Sequence, residues 1–209
     1  VPEVERSFVL AFESAAAAVA ARDRILKSTL QPSAIDILNP AAGITIGNKK
    51  WLVAIRAGGN AAAVERYERE FAALGDGMTF EGSYQQTLWE HVSEFTPRFL
   101  ATRPDGAVVR ASCTLKELPA VMEAFEGPAI ARAGSGVCYG FFEHSAAADA
   151  WVVRSARHTK MVIEFSPEVR PQASDLWPAP GNDLEIMRRV KNLFDPGNVL
   201  NRGRLYRRI

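Results

Sequence analysis

Apolar residues fall in two rhythms along this chain, and the rhythms take turns. Short runs rich in β-branched and aromatic side chains read as strands, and they alternate with stretches whose apolar residues recur at helical spacing. The first strand is Phe8–Phe12, followed by an Ala-rich helix over Ser14–Ser28. Strands come next at Ala34–Leu38 and Trp51–Ala57. Asn60 is placed to cap a second helix whose apolar stripe is Val64, Tyr67, Phe71 and Leu74. Gly75 and Gly77 end it ahead of a short strand at Met78–Phe80. The order is β-α-β-β-α-β.

About a hundred residues later the same order recurs, in elements rather than in residue identity. A strand spans Ala107–Cys113, with Val108, Arg110 and Ser112 on one face and Val109, Ala111 and Cys113 on the other. Thr114 and Glu117 have the spacing of a capping box, Pro119 fits a first helical turn, and Leu118, Met122 and Phe125 form the inward stripe. Strands at Ala129–Ala133 and Val137–Phe142 are joined by the tight turn Gly134-Ser135-Gly136. Ser145 is placed to cap a helix over Ala146–Arg157, and Met161–Phe165 is the last strand.

The pattern predicts an α+β fold of two tandem ferredoxin-like units, over about 7–82 and 106–166, with antiparallel sheets and helices on one face. The open face of each unit then has to meet its twin, a partner or a ligand. Between the units a helix is expected, capped by Ser83 with Gln86 and burying Leu88, Val92 and Phe95, before the turn Arg103-Pro104-Asp105-Gly106. A Pro-rich segment, Pro167–Pro180, leads to a final helix and tail over 182–209. There Asn182 and Glu185 have capping-box spacing, and Met187, Val190 and Phe194 share a face.

Composition narrows the classes. A net charge of +1 over 209 residues gives no electrostatic case for nucleic acid or an anionic membrane. No apolar run is long enough to cross a bilayer, and no signal peptide is visible. Val1-Pro2-Glu3 in place of a starting Met is expected of a fragment or processed product. Cys113 and Cys138 are too few for a disulfide framework and read as buried thiols of a reducing compartment.

Self-contained chemistry is hard to find. There is no Gly-x-Gly-x-x-Gly or Walker loop. His91, His144 and His158 lack partners at metal-ligand spacing, so no metal site is expected. No Ser-His-Asp or Cys-His signature is legible. Arg56, Arg110 and Arg132, with Glu164, interrupt otherwise apolar strands. Either they line an anionic site or they lie at wet positions of an open sheet face.

The tail stands apart. From Asp183 to Ile209 seven basic and three acidic residues give a net +4. Asp195-Pro196-Gly197-Asn198 stops the helix, and Asn201, Arg202, Gly203 and Arg204 lie on an irregular segment. An amide, a glycine and arginines suit the edge of an anionic cofactor; equally, they suit an arm packed on its own domain with solvated arginines.

Val190-Lys191-Asn192-Leu193-Phe194-Asp195-Pro196-Gly197-Asn198-Val199-Leu200-Asn201-Arg202-Gly203-Arg204-Leu205 resembles the C-terminal signature of FAD-linked oxidases of the vanillyl-alcohol oxidase type. Ser7–Phe12 with its Ala-rich helix, Trp51–Gly58, Ala133–Phe142 and the lead-in Trp177-Pro178…Leu184…Met187-Arg188-Arg189 are similar to the glycolate oxidase FAD-binding accessory subunit. The resemblance implies a cap, or substrate, domain that closes over FAD held mainly by an N-terminal FAD-binding domain absent from this chain. It also implies a tail that returns to that domain, with Asn201 as the cofactor contact and Arg202, Gly203 and Arg204 beside it. Partners implied are catalytic flavoprotein and iron–sulfur subunits, in the cytoplasm or at the inner face of the membrane through them.

Two departures bear on activity. Arg202 stands where the general pattern has Pro, and the His-x-Gly-Asp-Gly-Asn-x-His segment of metal-dependent 2-hydroxy-acid dehydrogenases is absent. The isolated chain is therefore expected to be inactive; its tail, half of a cofactor contact, is expected to be poorly ordered or packed in a non-native way. Three functions remain open: a cap for 2-hydroxy-acid oxidation with one of Arg56, Arg110 or Arg132 on the carboxylate, a non-catalytic assembly module, or a free-standing regulatory domain.

Overall fold

The computed structural model describes residues 2–155, 160–167 and 181–203. Its strands are β1 (Val4–Phe12), β2 (Ala34–Leu38), β3 (Trp51–Gly59), β4 (Gly77–Phe80), β5 (Ala107–Ser112), β6 (Ala129–Arg132), β7 (Val137–Phe142) and β8 (Lys160–Phe165). Its helices are α1 (Ala15–Lys27), α2 (Pro40–Gly43), α3 (Ala61–Ala72), α4 (Gly82–Ser93), α5 (Phe95–Thr102), α6 (Leu118–Glu123), α7 (Ser145–Ser155) and α8 (Asp183–Phe194). The α+β reading holds; the second half runs β-α-β-β-α-β, and the first half differs from that order by α2 inserted between β2 and β3.

The two units do not form separate sheets. All eight strands make one antiparallel sheet in the order β4-β1-β3-β2-β6-β7-β5-β8. The first half reads 4-1-3-2 and the second is its mirror order, so the halves meet edge to edge at β2 and β6. The register there is Asp36↔Arg132, Ile37↔Ala131 and Leu38↔Ile130. Asn39 extends the joint. Its Oδ1 accepts from the amides of Ala42 and Ala129, both at 2.9 Å, and its Nδ2 donates to the Gly127 carbonyl at 2.8 Å. Asn39 thus caps α2 and clamps the start of β6 with one side chain.

Helices cover both faces, not one. On the first face α1, α3, α6 and α7 pack over Phe8, Ile37, Val53, Ile55, Val109 and Ala131. Strand alternation sends the intervening residues to the second face, where α2, α4 and α5 shield Val9, Leu38, Leu52, Ile130, Val108 and Phe141. Phe95 and Phe99 from α5 both pack on Phe141, with ring centroids 4.7 and 5.3 Å away. The second face meets neither the twin unit nor open water there; the connecting segment covers it.

Local signals explain several boundaries. Ser14 and Asn60 accept from the amides of Ala17 and Ala63 as N-caps. The Thr114–Glu117 bonds form reciprocally, the Thr114 amide donating to Glu117 Oε2 at 2.9 Å and the Glu117 amide to Thr114 Oγ1 at 3.4 Å, but they build the turn ahead of α6, whose N-cap is Glu117 without a side-chain cap. Gly136 closes the β6–β7 turn at φ +73°. Other expected caps fail. Ser83 lies inside α4, whose N-cap is Glu81, and Asn182 makes no side-chain cap to α8. Ser145 is helical itself and pairs with the Ser166 hydroxyl at 3.1 Å. The connecting segment also breaks at Glu94 into two helices, because Pro97 in the first turn of α5 cannot donate to a continuing helix.

Arg22 joins the halves through their helices. It is fully buried on α1, and its guanidinium donates to the carbonyls of Ala133 at 2.6 Å and Leu115 at 2.9 Å, both in the second half.

Candidate functional site

Strand alternation places Arg56, Arg110 and Arg132 on the same face of the sheet, the one partly covered by α2, α4 and α5, while Glu164 lies at a register shift between β5 and β8. Register fixes their spacing. Arg132 on β6 stands opposite Val137 on β7 and Asp36 on β2, while Arg110 on β5 stands between Tyr139 on β7 and Val162 on β8. Tyr139 is therefore beside Arg110 and diagonal to Arg132. Arg56 lies two strands beyond the joint, opposite Ser7 and Ala34.

The three arginines are not equivalent. Arg56 Nε donates to Glu5 Oε1 at 2.6 Å, and its guanidinium lies 5.8 Å from the Trp89 ring centroid. Gln85 Nε2 donates to the same Glu5 oxygen, and Trp89 Nε1 donates to Ser7 Oγ at 2.7 Å. This network fixes α4 to β1 and β3, so Arg56 is a structural cation. Arg132 is ion-paired with Asp36, whose side chain is 5% exposed. Burial pushes the Asp36 carboxyl above its ordinary value, and the charge and hydrogen bond of Arg132 offset part of that. Arg110 is half-buried, and among the described residues no carboxylate pairs with it. Glu164 is exposed.

A cavity of about 210 Å³ opens on the same face between β4, the turn after α2, and α4. Its floor is Val9, Leu52 and Phe80, with Thr87 and His91 among its polar residues. His91 Nδ1 is 2.8 Å from the Thr87 carbonyl, which can only accept, so Nδ1 is the donor of that bond. Among the described residues no group of three metal-ligating side chains comes together. No helix among them is long and apolar enough to cross a membrane. His158 lies outside the described residues.

The C-terminal element differs from the rest of the surface. On α8 only Leu184 is buried, while Ile186, Val190, Leu193 and Phe194 are exposed, the last two at 74% and 79%. The face expected to pack inward therefore points outward, and it continues into exposed Val199 and Leu200. The turn beyond α8 is built, not loose. Asp195 accepts from the amides of Val199 and Leu200, both at 2.9 Å, and Lys191 Nζ bridges Asp195 Oδ2 and the Leu200 carbonyl, both at 2.5 Å. These bonds hold the Asp195 carboxyl down to about 2, with Lys191 the largest cause. Asn198 and Asn201 both adopt φ 48°, a conformation asparagine tolerates better than most residues, and Gly203 has φ 65°. Arg202 Nε donates to the Asn198 carbonyl. Over 195–203 the turn is closed by the segment's own side chains. Those bonds stay within the segment 191–202. Arg204 lies outside the described residues. Asn201, Arg202 and Gly203 sit together at the end of the turn, remote in sequence and in element from the arginines of the sheet face.

The family model described as FAD linked oxidases, C-terminal domain, matches residues 179–205. The chain thus carries the C-terminal signature of FAD-linked oxidases, over the built turn and the outward-facing helix. Two solved structures share the fold. Alkyldihydroxyacetonephosphate synthase aligns with a TM-score of 0.53 at 14% identity, over 94% of this chain and 43% of that one. The 4-ethylphenol oxidase from Gulosibacter chungangensis, in its isoeugenol complex, aligns with a TM-score of 0.54 at 13% identity, over 98% and 54%. The chain therefore spans about half the length of these solved proteins. No curated protein matches it.

Proposed function

We propose that this chain is the cap, or substrate, domain of an FAD-dependent oxidoreductase, closing over a flavin held mainly by an N-terminal FAD-binding domain. The observation that carries the reading is the coincidence of the matched segment with an apolar helix face that this domain leaves uncovered. Ile186, Val190, Leu193 and Phe194 would then dock on the FAD-binding domain. The turn locked by Asp195 and Lys191 would present Asn201, Arg202, Gly203 and the following Arg204 to the cofactor's edge. These residues fit an edge contact: an amide with donor and acceptor, a glycine without Cβ, and cations for an anionic ring or phosphate. They do not amount to a complete FAD site.

The flavin, when bound, supplies the hydride acceptor. The chain's own part is to hold the substrate. Arg110 is the side chain best placed for a substrate carboxylate, since Arg56 and Arg132 are engaged by Glu5 and Asp36. Tyr139 beside it offers a hydroxyl. A 2-hydroxy acid such as glycolate fits that arrangement; a multi-subunit assembly with catalytic flavoprotein and iron–sulfur partners in the cytoplasm is proposed from the sequence resemblance alone. The absent His-rich segment favours a second reading, a non-catalytic assembly module that docks a catalytic flavoprotein subunit.

The test is spectroscopic. The protein bearing its FAD-binding domain, purified without other subunits, should show a flavin spectrum that glycolate or lactate bleaches. Flavin that is bound but never bleached favours the assembly module. Failure to bind flavin at all refutes the contact through Asn201 and with it the cap reading.

A further inference from the structure

Among the described residues β4 ends the eight-strand sheet and pairs with β1 alone. The Ala11 amide donates to the Asp76 carbonyl at 2.9 Å, in register with Val9↔Met78 and Ser7↔Phe80. Bonded positions alternate in an antiparallel pair, so Asp76, Met78 and Phe80 turn their backbone groups toward β1, while Gly77 and Thr79 turn theirs away from the sheet. No other backbone group among the described residues bonds those of Gly77 and Thr79.

A cavity lies against this edge on each face of the sheet. On the face of α4 it is the one of about 210 Å³, where Met78 and Tyr84 are 57% and 76% exposed beside Val9, Phe80 and Leu88. On the opposite face a cavity of about 280 Å³ lies between β4 and α3, lined by Phe8, Leu10 and Phe71 together with Glu68 and Asp76. The first is walled mainly by apolar side chains, and the second adds two carboxylates. Asp76 and Glu81 flank β4, and Glu68 accepts from the Thr79 hydroxyl at 3.5 Å. One cation answers these three acids: Arg6 is ion-paired with Glu68 at 2.9 Å and with Glu81. Lys50, the cation whose charge reaches Asp76, is itself ion-paired with Glu13 at 2.6 Å. Three acids less one base leave the edge at −2, in a chain of net +1.

An extended segment laid beside β4, about 4.8 Å away, meets the outward groups of Gly77 and Thr79 and sends alternate side chains to the two cavities. The charge selects its chemistry. Antiparallel pairing with a second copy of β4 sets the Asp76 end of one chain beside the Glu81 end of the other, which like charge opposes. A basic segment meets no such opposition. We propose that the β4 edge takes up an extended segment of a partner protein as a ninth strand, with a basic side chain toward Glu68 and Asp76 and an apolar one in the cavity over Val9 and Phe80. Gly77 points to the α3 face and has no side chain there, which leaves room for the basic one.

The experiment uses the peptide acetyl-Thr-Val-Lys-Phe-Lys-Val-Thr-amide, whose basic and apolar side chains alternate, with hydrogen exchange of the protein bearing its FAD-binding domain read by mass. The peptide should slow exchange over 77–80 saturably, with no change at β8, and salt should weaken it. The same peptide with glutamate for both lysines should bind about fivefold more weakly or worse, and Asp76→Lys should weaken the lysine peptide by a similar factor. Thr79→Pro removes an outward amide without breaking a bond to β1, so it should abolish the protection. The Asp76→Lys measurement decides even if Thr79→Pro does not fold. No protection at 77–80, or equal binding of the two peptides, overturns the proposal. So does protection already present without peptide, whether it is lost in the isolated chain, which assigns the edge to the FAD-binding domain, or grows with protein concentration, which assigns it to a second copy. None of these outcomes depends on flavin.

Discussion

Asp36 on β2 and Arg132 on β6 face each other directly where the two halves of the sheet meet, and their side chains are ion-paired with the carboxylate buried and the guanidinium 41% exposed. Burial of the carboxylate outweighs the attraction of Arg132, as the raised Asp36 carboxyl shows. A raised folded-state value means the stabilising contribution is complete below the unfolded value of about 3.9 and fades as pH rises through the folded value.

Asp36→Asn should therefore cost less than about 1 kcal/mol at neutral pH, because Arg132 can hydrate and no buried charge is stranded. Its stability relative to wild type should improve as pH rises from about 4. Asp36→Lys, which sets like charges opposite one another, should destabilise strongly. Urea midpoints across this range decide; a loss of several kcal/mol in the Asn variant would sink the account.

Arg22→Met keeps the bulk of the buried side chain but removes both donors to the Ala133 and Leu115 carbonyls. Leaving two carbonyls short of partners should cost about 2–4 kcal/mol. Lysine should recover only part of it, since one ammonium cannot reproduce a forked pair of bonds. Chemical denaturation of the three proteins measures this, and full recovery by lysine is the result that refutes it.

If Arg110 holds the substrate carboxylate, Arg110→Ala in the flavin-bearing assembly should raise the KM for a hydroxy acid about 10- to 100-fold, the worth of a charge-assisted hydrogen-bond pair. Arg132→Ala should change KM far less. Steady-state kinetics of both variants test the assignment, which fails if Arg110→Ala leaves KM unchanged.

The depressed Asp195 carboxyl works in the opposite sense to Asp36. Its contribution to the turn is present above about 3.9 and disappears as pH falls through about 2. The amide signals of Val199 and Leu200 should move together through that range in an NMR titration, and Asp195→Asn should abolish the transition. Signals that instead titrate near 3.9 would show that Lys191 and the two amides do not hold the carboxylate.

Leu193→Ser with Phe194→Ser should leave the stability of the chain within about 0.5 kcal/mol, as expected for exposed positions. In the protein bearing its FAD-binding domain the same pair should lower flavin retention. Thermal unfolding and flavin release together test whether α8 is a docking face; unchanged flavin retention would place the interface elsewhere.

The sequence makes some of this legible and conceals the rest for definite reasons. Alternation along Ala107–Ser112 is enough to set Arg110 and Val108 on one face, since a strand's period does not depend on its neighbours. The Thr114–Glu117 pair and the Asn60 cap are short-range bonds and were readable as such. Asn39-Pro40 carried a readable signal, a capping residue followed by proline at the first helical position, and it marks α2. The β2–β6 pairing was not readable, because it joins residues about a hundred positions apart and no local pattern encodes such a partner. Nor was Arg22: an arginine in an Ala-rich helix reads as solvated until the carbonyls it reaches are known. The outward stripe of α8 has the spacing of a core face, and periodicity alone cannot say whose core it belongs to.

The joint between β2 and β6 has one further consequence. A four-strand half ending at either of these strands would display a row of unmatched amides and carbonyls, a template on which any extended chain could grow. In the intact protein each half covers the other's rim. The two repeats are thus one indivisible unit, and each acts as the other's guard against aggregation.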